Sequence, residues 1–152
     1  MPKDIPGKFI GILLAFFLTV VVPFVNTTVE QELLDRRSII MDVTNFIDEV
    51  VDSRLITDSM LRELNTNLAS YGTSVDYTIT HYRRSVDPDP LSNDDKFYVS
   101  YVVVDENAEW LKGDRISVRV QSISYSTTET LAHKLGGLFV PDLDRTLTAR
   151  IR

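Results

Sequence analysis

The sequence predicts an α+β protein: a long N-terminal helix, first transmembrane and then amphipathic, packed on an antiparallel sheet of about four strands with one or two short helices. Three observations carry this. Phe9 to Val25 contains no ionisable side chain. From Val29 to Val50 apolar residues recur at steps of three and four, the period of a half-buried helix. Beyond Thr73 the period changes to two, the period of strands.

Composition sets the outer bounds. A chain of 152 residues with 43% hydrophobic and 25% charged residues holds one ordinary globular core and an anchor. The expected division is an anchor over residues 1–27 and a head over residues 28–152. Sixteen basic against 22 acidic residues give a net charge of −6, with no Lys/Arg-rich run, so nucleic acid is not an expected partner. The absence of cysteine removes disulfides, thiol catalysis and cysteine-ligated zinc.

The apolar stretch spans about 26 Å as a helix, the short end of what a bilayer core requires, and Lys8 can snorkel to extend it. Its membrane or assembly surface is read as Phe9, Ile12, Leu13, Phe16, Phe17, Val20, Pro23 and Phe24, continued by Val29 and Leu33. Lys3 and Lys8 on the short flank, against Glu30, Glu32 and Asp35 beyond the span, predict a cytoplasmic N-terminus and a head outside. A cleavable signal peptide shares these features, but Phe24-Val25-Asn26-Thr27 is a poor cleavage site, so the span is expected to be retained.

Pro23 removes the hydrogen bond to the Thr19 carbonyl and is expected to bend the helix. Val29, Leu33, Ile40, Val43, Ile47 and Val50 then form a stripe, widened by Ile39 and Phe46, and Phe9 to Ser53 reads as one kinked rod of about 68 Å. The distal half of the stripe is expected to pack on the head, and Val29, Leu33 and Leu34 to face a neighbouring subunit. Arg36, which interrupts the stripe, is read as snorkelling or as a partner for a neighbour's carboxylate.

Thr57 caps a second helix, with Asp58 in its first turn, Leu61, Leu64 and Leu68 on one face, and Gly72 as its stop. A strand follows to about Arg84, in which Val75, Tyr77 and Ile79 share a face. The segment Asp87 to Asp95 is the most acidic and proline-punctuated of the chain. It lacks the glycine and closing glutamate of a calcium loop and reads as a solvated surface loop.

Lys96 to Asp105 is apolar on both faces and predicts a central strand. Lys112-Gly113-Asp114 is a turn signal leading into Arg115 to Tyr125, where Ile123 and Tyr125 fall out of phase and call for a bulge near Gln121 or Ser122. Thr127 to Leu135 suits a short helix closed by Gly136 and Gly137. Leu147, Ala149 and Ile151 mark a last strand, expected at an edge. His81 and His133 each lack a second ligand nearby in sequence, and no nucleophile elbow or phosphate loop is present, so no catalytic residue, metal or cofactor is assigned.

An apolar helix with Pro23, its amphipathic continuation and a sheet against it resemble the type IV pilin and pseudopilin plan. More narrowly, the Ile56-Thr57 helix start, the Leu64 to Leu68 stripe, Tyr71-Gly72, the Tyr77-Thr78-Ile79 strand and the Lys112-Gly113-Asp114 turn before Ile116 are similar to small pilin-like proteins of Tad-type pilus loci in Gram-positive bacteria. The resemblance implies a structural, non-catalytic subunit whose partners are the bilayer and other pilin-like subunits or copies of itself. Gly7 is followed by Lys8, and Ile12 stands where such pilins carry a registering glutamate, which points to a minor subunit. A different reading of the same features is a signal-anchored binding module that does not polymerise, contacting its partner through Pro88, Trp110 or the C-terminal strand. A third, an envelope enzyme or metal-binding protein, would need carboxylates that converge only in space.

Overall fold

The computed structural model describes residues 5–71, 74–88, 96–105, 108–124, 130 and 143–152. Gly72, most of the acidic loop and, apart from Thr130, the predicted Thr127 to Leu135 helix with its closing glycines lie outside these. The chain divides into two compact units, with residues up to Arg36 in the first and the helix from Arg37, the shorter helix Asp58–Ser70 and four strands in the second.

In the first unit α1 covers Ile5–Phe16, a π-helical turn covers Phe17–Val21, and α2 begins at Val22 and runs to Ser53. Pro23 does not stop the helix. An α-helical proline ring collides with the carbonyl four residues back, here that of Thr19. The wider π-turn around Thr19 absorbs that conflict, and the Val22 N–H bonds the Phe17 carbonyl five residues back. Threonine hydroxyls in the run are satisfied locally: Thr19, Thr27 and Thr28 donate to the carbonyls of Ala15, Pro23 and Phe24 at 2.7, 2.9 and 2.9 Å. Arg36 is half-buried. Its guanidinium pairs with Glu32 one turn earlier, at 2.7 Å.

In the second unit α2 buries Ile39, Val43, Phe46, Ile47, Val50 and Val51, so the stripe is centred on Ile39 and Phe46 and leaves Ile40 only half-buried. The helix ends at Arg54, whose φ of 58° lies in the left-handed region usually left to glycine. Its N–H closes the last turn on the Val50 carbonyl, and its guanidinium donates to the Arg152 carbonyl at 2.7 Å. α3, Asp58–Ser70, starts on the predicted cap: the Thr57 hydroxyl accepts from the Met60 N–H. It buries Met60, Leu64 and Leu68, while Tyr71 beyond it donates to Asp42 on α2 at 2.6 Å.

Four strands form one antiparallel sheet, β1 (Val75–Pro88), β2 (Phe97–Val104), β3 (Arg115–Ser122) and β4 (Asp144–Arg150), in the order β2-β1-β3-β4. The inward face of β3, Ile116, Val118 and Val120, pairs with His81, Ile79 and Tyr77 of β1 and packs on the α2 and α3 residues just named. β4 is an edge strand as expected, tied at its start by a double hydrogen bond from Arg119 to Asp144. Three strand expectations are corrected. β1 continues past Arg84 to Pro88 because β2 pairs with its second half. Among the described strands β2 lies at an edge: Phe97, Val99 and Val103 on one face and Tyr98 and Val102 on the other are exposed, and apolarity alone does not place a strand in the middle. β3 carries no bulge, since its register with β1 is continuous to Ser122 and Ile123 is simply exposed.

Candidate functional site

Two regions carry the chemistry of this chain. The first is the apolar helix. Among the described residues one helix, Gly7–Ser53, is long and apolar enough to cross a membrane. Of the residues assigned to that surface, Phe9, Ile12, Leu13, Phe16, Phe17, Val20, Pro23, Phe24 and Leu33 are exposed, Ile12 by 70%, and Val29 is half-buried. Leu14, Leu18 and Val22 are exposed as well, so the segment is apolar around its circumference, as a lipid-facing helix is.

The second region escaped sequence reasoning. His81 lies on the inward face of β1 with no exposed surface, in line with Tyr77 and Ile79. Its Nε2 is 2.8 Å from Oδ2 of Asp114, the residue just before β3, and its ring stacks on Trp110 with centroids 3.7 Å apart and planes at 15°. Asp114 is itself 1% exposed. Oδ1 accepts from the Arg84 N–H at 3.0 Å, and Oδ2 also accepts from the Leu111 N–H at 3.0 Å. The Arg83 guanidinium stands 3.9 Å away.

Burial pushes the Asp114 carboxyl up, but the Arg84 N–H, the His81 ring and the Leu111 N–H together outweigh it and hold the group below the usual carboxylate range. The ionised carboxylate only accepts, so His81 donates through Nε2–H. Nδ1 then finds no hydrogen-bond partner among the described residues.

The main chain around the pair is knitted in the same place. Asp114 N–H bonds the Leu111 carbonyl, Ile151 N–H bonds the Asp114 carbonyl, and Gly113 N–H bonds the Ile151 carbonyl. One carboxylate thus joins β1, the Leu111–Gly113 turn and the start of β3, and its backbone adds the end of the chain. The imidazole has no exposed surface, and the hub ties these segments of the head together. A sequence signal for it exists: inward positions 75, 77 and 79 extend to 81, and a buried imidazole requires a partner.

Gly113 carries the turn at φ +99°, and a Cβ there would meet the Arg84 Cδ at 3.1 Å. Gly113→Ala is expected to cost about 1–2 kcal/mol from backbone strain and crowding, read as a lowered melting temperature of the full chain in detergent.

Trp110 is buried at the hub and offers no outward surface for a partner, which corrects its assignment as a contact residue. Beside it a cleft of about 730 Å³ opens between Arg54–Leu61, Tyr77–Ile79 and Ala108–Trp110, rimmed by the opposite charges of Arg54, Asp58 and Glu109. Among the described residues no group of three His, Cys, Asp or Glu side chains is placed to hold a metal ion.

The fold and these two regions define a class, an α+β head on a long apolar helix. Comparison of the chain with protein-family models, with curated proteins and with solved structures gives no match.

Proposed function

We propose that this chain is a pilin-like structural subunit, of the minor pilin or pseudopilin kind, anchored in a membrane by its N-terminal helix. Through that helix it assembles with other pilin-like subunits or copies of itself, into a surface filament or its membrane-bound assembly complex. The observation that carries this reading is the helix itself. It runs from Ile5 to Ser53 without a break, exposing apolar side chains all round in its first part and supplying core residues to the head in its last. A tether needs no such continuity, whereas a subunit that bundles by its helices and spaces its heads does.

Leaving the apolar segment in water would cost tens of kcal/mol at about 25 cal/mol per Å², so lipid or similar helices must cover it. Storage in lipid followed by bundling meets both demands, with the N-terminus cytoplasmic and the head outside. The intact mass of the protein, from membranes and from material sheared off the cell surface, tests this. A sheared form beginning at Lys8 supports a filament subunit. Full-length protein confined to membranes supports a retained assembly factor or tethered module, and a form beginning near Thr28 overturns the anchor.

A further inference from the structure

Edge strands of stable monomers are blunted by charges, prolines, bulges or a covering element. β2 has none of the first three. Its eight residues, Phe97-Tyr98-Val99-Ser100-Tyr101-Val102-Val103-Val104, include no charge, proline or glycine, and their register with β1 is unbroken. One long edge pairs with β1, and no described strand lies along the other. Five of the eight side chains are exposed, while Ser100, Tyr101 and Val104 are half-buried. Phe97 and Val103 on one face are 65% and 61% exposed, and Tyr98 and Val102 on the other are also exposed.

We propose that β2 pairs antiparallel with β2 of a second copy of this chain, about a two-fold axis at Ser100, joining two four-stranded sheets into one. The strand's own sequence favours a copy of itself. In a two-fold antiparallel pair, opposed residues lie on the same face, so only residues whose positions differ by an even number face each other. Centred on Ser100, this sets Phe97 against Val103, Tyr98 against Val102 and Tyr101 against Val99 of the second copy. Every aromatic residue of the strand meets a valine, the favourable kind of cross-strand pair, and serine meets serine. Centring on Tyr101 instead would set Phe97 against Asp105 and Ser100 against Val102.

Tyr101 is already held across the sheet by the Arg115 guanidinium, 3.9 Å from its ring centre.

Such a contact buries a few hundred Å² per copy, on the order of half the roughly 800 Å² per partner of a standard interface. It is weak between free molecules and gains strength when both copies are confined to one membrane. The pairing belongs to the head and does not depend on how the apolar helices associate.

The cysteine-free chain makes the test clean. Full-length Ser100→Cys protein in phosphatidylcholine–phosphatidylglycerol vesicles, treated with a mild oxidant, should form disulfide dimers roughly ten-fold or more faster than Asn45→Cys, which is exposed on α2. Opposed strand residues lie about 4.5–5.5 Å apart at Cα, within disulfide reach. Because the Ser100 hydroxyl donates to Asp87, a mixture of Tyr98→Cys and Val102→Cys chains reads the same register without disturbing that bond, and should cross-link each to the other. Adding Val99→Lys and Val103→Lys should return the Ser100→Cys rate to the Asn45→Cys level with the melting temperature unchanged.

Equal rates at positions 100 and 45, or undiminished cross-linking in the lysine variant, would overturn the pairing. So would a Ser100→Cys thiol that forms no dimer and is shielded from a soluble maleimide only when vesicles are present, which would assign this edge to lipid.

Discussion

Asp114→Ala is expected to destabilise the head by about 3–5 kcal/mol, enough to unfold a large share of a marginally stable domain. The substitution leaves the N–H groups of Arg84 and Leu111 and the Nε2–H of His81 without their acceptor in a buried place. Asp114→Asn keeps one acceptor oxygen and should cost less. The pH dependence separates charge from shape. The folded carboxyl lies below its ordinary value of about 3.9, so its contribution is complete above that pH and is lost as pH falls through the folded value. The stability gap between the natural chain and Asp114→Asn should therefore hold from pH 7 to about pH 5 and narrow below about pH 4. Trp110, the only tryptophan, stacks directly on His81, and its fluorescence during thermal or urea unfolding reads the hub without a label. A gap that stays constant into acid would show that the hub does not depend on an ionised carboxylate.

The double substitution Leu13→Asp and Phe17→Asp is expected to remove the protein from the membrane. Each aspartate near the middle of a span costs about 3 kcal/mol on insertion scales and replaces a residue that favours insertion by a few tenths, so the pair shifts the balance by roughly 6–8 kcal/mol. The head should be untouched, because its buried apolar cluster begins at Ile39. The expected result is a chain released by alkaline carbonate washing, with the unfolding transition of the Trp110 signal unchanged in detergent. Retention in the pellet would show that something other than this helix holds the protein.

Periodicity made most of the fold legible. The helix from Phe9 to Ser53, the Thr57 cap, the leucine face of α3 and the Lys112-Gly113 turn were readable because each is set by neighbours within a few residues. What failed depended on distance. The His81–Asp114 pair joins residues 33 apart, and no local pattern announces which carboxylate a buried imidazole will meet. β2 misled for another reason: two apolar faces read as burial on both sides, whereas this strand lies at the rim of the sheet. Ile123 suggested a bulge only on the assumption that every apolar residue after Arg115 turns inward, and it does not. The π-turn answers the same residue that predicted a bend, Pro23, by changing the helix spacing one turn earlier.

That turn can be seen as a record of arithmetic. A π-turn fits one residue more than an α-turn would over the same stretch of axis, and one α-helical residue corresponds to about 100° of rotation. The extra residue in Phe17–Val21 therefore sets the compass bearing of every side chain before it relative to those from Val22 to Arg36. Excising a single residue there would leave Ile12 and Phe16 close to their present heading, whereas relaxing the turn to ordinary α-helix with every residue kept would swing them about 100° away from it. Relaxing it would not change composition or hydropathy, so membrane insertion would survive while any partner that reads the order of side chains around the helix would meet a different face.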